Sequence, residues 1–132
     1  MIMYRWVEHT AELELRIDAP TEEALLADAL DAFSELVGRD PDGEPARHDV
    51  LVLSPDPAVR LADWLEELVF LAETEDFVPE RLASVELGDG ELRARVEGRR
   101  GRPAQLVKAV TYHGLEVEER GDGWHARVVL DV

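Results

Sequence analysis

Apolar residues along the chain follow a two-residue period in some stretches and a helical period in others. Residues 12–18, ELELRID, alternate cleanly, with Leu13, Leu15 and Ile17 on one side and Glu12, Glu14 and Arg16 on the other. That is the pattern of a half-buried strand. In APTEEALLADALDAFSELVG the period lengthens, and Leu25, Leu26, Ala29, Leu30, Phe33, Leu36 and Val37 make one apolar stripe. Thr21 stands where an N-cap belongs, acids crowd the first turn and Gly38 follows the last one, so a helix is predicted between them. A polar loop is expected over 39–49, then a short strand, VLVLS. Asp56 with Pro57 opens a second helix, whose apolar face is Leu61, Leu65, Leu68, Val69 and Ala72. Two hairpins follow, turned by Gly88-Asp89-Gly90 and Gly121-Asp122-Gly123. Between them AQLVKAVTYH satisfies neither period and reads as a strand or a short helix. His48 reads as a loop residue.

Two main helices packed on a mostly antiparallel sheet of about six or seven strands make an α+β fold. At 132 residues, without a repeat or linker, the chain is expected to form a single domain over 1–132.

Composition narrows the function classes. Cysteine is absent, which removes disulfides, thiolate nucleophiles and cysteine-based zinc sites. No leader and no apolar run of membrane-spanning length is visible, so a cytoplasmic protein without a membrane role is expected. The net charge of −16 repels a phosphate backbone and argues against extensive direct nucleic-acid binding. Such a surface suits a basic protein partner, divalent cations, or simple solubility. Lys108 is the one lysine beside thirteen arginines.

No phosphate-binding loop, dinucleotide fingerprint, zincin helix or nucleophile elbow is present. What remains is a set of polar residues at strand ends. WVEHTAELEL crowds Glu8, His9, Thr10 and Glu12 around the mouth of strand 12–18. His113 lies in TYHG and His125 in the last strand. Asp131 interrupts VVLDV, and an acid in apolar sequence is costly unless it is paired or metal-bound. If the two ends meet, Glu12, Asp131 and the terminal carboxylate of Val132 would crowd together, and a hard cation such as Ca²⁺, Mg²⁺ or Mn²⁺ would relieve the repulsion. The plainer alternative is that Asp131 pairs with Arg127 or Arg16.

EHTAEL near the start, WLEELVFLAETEDF in the middle, and KAVTYHGLEV followed by GWHARVVLDV at the end resemble the archease family. The likeness covers nearly the whole chain, in order and at similar length. It implies a small α+β protein that is not itself an enzyme but a cofactor of the RtcB-type RNA ligase of tRNA splicing and RNA repair. Archeases promote guanylylation of that ligase with GTP and divalent metal, and so support multiple turnover. The family's acidic metal site maps to Glu12 and Asp131, with Val132 alongside. His9, Lys108 and His113 become candidate contacts to the partner or its nucleotide. One departure stands out: the family signature carries Asp where this chain has Glu12, which moves the carboxylate about one methylene outward and favours Ca²⁺ over Mg²⁺. Two other classes remain open. One is a general chaperone or protein-interaction module; the other is a small metal-dependent hydrolase built on His9, Glu12 and Asp131.

Overall fold

The computed structural model describes residues 3–9, 11–38 and 40–132, with the side chain of His9 outside that set. Strands β1 (Tyr4–His9) and β2 (Glu12–Ala19) lead into α1 (Glu22–Val37), then β3 (Pro45–Leu53) and α2 (Pro57–Thr74). Four more strands follow: β4 (Phe77–Gly88), β5 (Glu91–Arg100), β6 (Ala109–Arg120) and β7 (Gly123–Asp131). The chain folds as a single domain of the expected α+β class.

Both helices begin and end where the capping residues stand. The Thr21 hydroxyl accepts from the Ala24 N–H at 3.0 Å, and the Asp56 carboxylate accepts from the Ala58 N–H at 2.8 Å. Gly38, at φ 88°, donates its N–H to the Ser34 carbonyl at 3.0 Å, closing α1 in a conformation that favours glycine.

The strands divide between two sheets where the patterning suggested one. β1, β2, β7 and β6, in that order, form the first; β3, β5 and β4 form the second. Every pairing is antiparallel. The first sheet thus joins the two ends of the chain, because β7 hydrogen-bonds β2 along its whole length. Each helix packs against both sheets: α1 meets β2 and β4, while α2 meets β6, β4 and β3. Leu15, Ile17, Val128 and Leu130 of the first sheet and Val52, Leu92 and Val96 of the second bury against Leu30, Phe33, Leu61 and Leu65 of the helices. Fully buried Trp64 satisfies its indole N–H on the Leu26 carbonyl at 3.0 Å, tying α2 to α1.

Three local expectations change. Glu8 and His9 belong to β1, which ends two residues before β2 begins at Glu12. β3 begins at Pro45, not Val50, because its first half turns only Ala46 and His48 inward and so leaves little apolar signal. His48 therefore lies in a strand, its ring edge-on to Phe77 with centroids 4.6 Å apart. The ambiguous stretch 104–113 forms no helix, and β6 starts at Ala109.

Candidate functional site

Residues directly opposite one another in an antiparallel pair share a sheet face. Glu12 faces Asp131 across β2 and β7, His9 is the register partner of Glu12, and Ala109 that of Asp131. The two acids singled out at opposite ends of the sequence are thus immediate cross-strand neighbours at one end of the sheet's outer face. The Val132 N–H reaches the Ala11 carbonyl at 3.4 Å, and the Lys108 N–H donates to the Asp131 carbonyl at 2.8 Å. Ala11 adopts φ 59°, a left-handed conformation that costs a residue with a side chain about 1 kcal/mol. It makes the abrupt reversal that lets β2 start at Glu12.

Glu12 and Asp131 make no ion pair among the described residues. The two arginines that would neutralise Asp131 are engaged elsewhere. Arg16 Nε donates to the Glu14 carboxylate at 2.5 Å and Arg127 Nη2 at 2.9 Å. Glu14 lies on the outer face with Glu12, yet its side chain is only 1% exposed beneath the two guanidinium groups. Arg127 first, and Arg16 after it, hold its carboxyl down to about 2, against the opposing effect of burial. Strand alternation placed Glu14 only on the polar side of β2; the outward arginines of β2 and β7 were the sole hint of its burial.

Lys108, exposed, adjoins Asp131 through its backbone, and Val132 adjoins the turn at Ala11. His113 does not join this group. It lies in a bulge of β6, where four residues, Tyr112 to Leu115, stand opposite Val128 alone. Gly114 makes that bulge possible. Its φ is 73°, and a Cβ there would sit 2.6 Å from Arg127 Nη1. The Tyr112 hydroxyl bonds to Asp63 of α2 at 3.2 Å, so this tyrosine anchors the bulge to the helix. Burial and the nearby charges of Asp63 and Glu66 push its phenol pKa up. The side chain of His9, and Thr10, lie outside the described residues. His125 pairs with Asp18.

Among the described residues no three His, Asp or Glu side chains are gathered tightly enough to hold a metal on their own. The donor set at the Glu12 end is two unpaired carboxylates with backbone oxygens nearby. That chemistry fits a hard, oxygen-seeking cation that keeps part of its water, and not a transition metal that requires several imidazoles.

Comparison with known proteins identifies the family. Residues 4–132 match the archease protein family (MTH1598/TM1083). The chain belongs to the archease family. Proteins named archease from Methanosarcina mazei and Methanosarcina acetivorans are 32% and 34% identical to it, each alignment covering 98% of this chain and 95% of the relative. One from Pyrococcus furiosus is 33% identical over 98% of this chain and its own full length. The solution structure of Methanobacterium thermoautotrophicum protein 1598 is similar over the full length of both chains, with a TM-score of 0.76 at 25% identity. The crystal structure of a Thermotoga maritima archease, described as a possible chaperone, is similar over 98% of each chain, with a TM-score of 0.70 at 25% identity. This archease has no helix among its described residues long and apolar enough to cross a membrane.

Proposed function

We propose that this archease is a non-catalytic activator of an RtcB-type RNA ligase, acting through a divalent cation held at the Glu12–Asp131 end of the first sheet. The observation that carries the reading is the pairing of Glu12 with Asp131 across two adjacent strands, with Arg16 and Arg127 diverted to Glu14. Two carboxylates left side by side without an ion pair repel each other unless a cation joins them.

Glu12, Asp131 and an oxygen at the carboxyl end of Val132 would hold the ion, with water filling the remaining positions. A bound divalent cation supplies charge that stabilises a phosphoryl group in transfer. The chain's own residues position it: β2 and β7 fix the two carboxylates, and the Ala11 turn sets where β2 begins. Lys108, one residue before the partner of Asp131 in β6, is offered to the ligase or its nucleotide. His9 and His113 are secondary candidates for the same contact. The acidic surface docks at a basic face of the ligase by charge complementarity. None of these side chains forms a nucleophile with its base, and a hydrolase is disfavoured accordingly.

Multiple-turnover RNA ligation by the cognate ligase, with GTP and Mn²⁺, tests the reading. The wild-type chain is expected to stimulate product formation, and a folded Glu12→Ala/Asp131→Ala variant to stimulate it far less. Equal stimulation by both would retain the activator role and remove the carboxylate site. No stimulation of an active ligase, together with suppression of aggregation of unrelated proteins, would favour the chaperone reading suggested by the description of the Thermotoga relative.

A further inference from the structure

The outer face of the first sheet carries a second concentration of charge, four residues along β2 from Glu12, or about 13 Å away. There Arg5 stands opposite Arg16, and Arg16 opposite Arg127, so three arginines occupy one cross-strand row on β1, β2 and β7. Like charges directly opposite one another destabilise a sheet. This row persists in a chain whose net charge is −16 and which has only fourteen cationic residues besides histidine. Arg5, Arg16 and Arg127, with Arg120 at the end of β6, line a cavity of about 460 Å³.

The row is built, not incidental. Glu14 lies buried under it and takes one donor group each from Arg16 and Arg127. Arg127 is further fixed by donating Nη1 to the Gly114 carbonyl at 3.3 Å, through the space that glycine leaves open. A guanidinium carries five N–H donors in a rigid fork, so these bonds orient both arginines and leave donors over. Three acids share the cavity wall, and each has a basic residue as its neighbour. Asp18 is held by His125, Glu118 by Arg120 at 3.2 Å, and Glu116 stands opposite Arg127. Arg5 has no ion-pair partner among the described residues.

We infer that this cavity is a binding site for a phosphate group, held by the Arg5–Arg16–Arg127 row with Arg120 closing one side. A tetrahedral oxyanion offers more acceptor oxygens than the two of a carboxylate such as Glu14, and so can join the donors that remain on several guanidinium forks at once. It would also relieve the repulsion along the row. The inference is independent of the cation site, since the row uses neither Glu12 nor Asp131.

The test is an NMR titration of the full-length protein at low ionic strength, following the arginine Nε–H and His125 ring signals. Inorganic phosphate is added in one arm and adenosine 5′-monophosphate in the other. Saturable shifts at Arg5, Arg16 and Arg127 are expected at millimolar phosphate. Equal affinity for both probes assigns the site to a free phosphate group, and tighter binding of the nucleotide assigns it to the phosphate end of a larger ligand. Arg5→Gln/Arg120→Gln, which leaves the Glu14 pairs intact, should weaken binding about tenfold or more. The charge-matched Arg81→Gln/Arg93→Gln variant on the other sheet should bind as the wild type does. Absence of saturable shifts in the wild type overturns the site; so does equal weakening by the two double variants, which would mark a general charge effect.

Discussion

Glu14 shows how one residue can invert the role its position suggests. Strand alternation sends it outward with Glu12 and Arg16, yet Arg127 from the far end of the chain and Arg16 from its own strand close over it. Its carboxyl falls from an ordinary 4.5 to about 2. A depressed carboxyl contributes stability that is complete above its unfolded value and is lost as pH falls through the folded one. Glu14→Gln should therefore cost about 2 kcal/mol at pH 7, a figure reduced for the half-exposed arginines. The gap from wild type should close between roughly pH 4.5 and 2, as urea denaturation at several pH values would show. Gly114→Ala should cost about 1–2 kcal/mol through its left-handed backbone. It should also displace Arg127 and raise the Glu14 pKa, measured from its carboxyl carbon shift; an unchanged pKa would mean that Arg127 does not depend on the glycine. Glu12 and Asp131 were legible as candidates because an acid at a strand mouth and an acid inside VVLDV each break a local pattern. Glu14 breaks none, since its burial is completed by Arg127, far off in sequence.

At the scale of elements, the helices were the legible part. Thr21, Asp56, Pro57 and Gly38 mark their ends, and the apolar stripes name most of the residues they bury. A fixed contact between them was not legible: Arg60 of α2 makes a two-pronged ion pair with Glu22 at the start of α1, at 2.8 Å on each prong. Both partners are nearly buried. Glu22→Gln should cost about 1–3 kcal/mol, because Arg60 keeps its charge and loses its counter-charge in a closed environment. Thermal unfolding would register this, and a wild-type midpoint would show that Arg60 finds another partner. β1 escaped notice because it is short and turns only Tyr4 and Trp6 toward the core, and the first half of β3 because it turns only Ala46 and His48 inward. The β6 bulge escaped because the four-against-one mismatch at Tyr112–Leu115 is a property of the β7 pairing and not of the segment itself.

For the whole molecule, the α+β class was legible, but the division into two sheets was not. Periodicity marks a strand without naming its neighbour, and here β7 returns across the full chain to lie between β2 and β6. That long-range pairing is also what assembles the site, since Glu12 and Asp131 meet only when the first and last thirds of the chain join one sheet. The net charge of −16 acts at this scale. If docking on the ligase is steered by charge, stimulation should decline steadily as salt rises from low to physiological ionic strength, because exposed charges are screened beyond about 8 Å there. Salt-independent stimulation, with the ligase's own salt response subtracted, would argue for an apolar interface instead. The most direct measurement is transfer of guanylate from GTP to the cognate RtcB-type ligase in the presence of Mn²⁺. It should be followed with no addition, with this archease, and with the folded Glu12→Ala/Asp131→Ala variant. The account predicts a rise in guanylylated ligase with the wild type that the variant does not produce; guanylylation at the same rate in all three would contradict it.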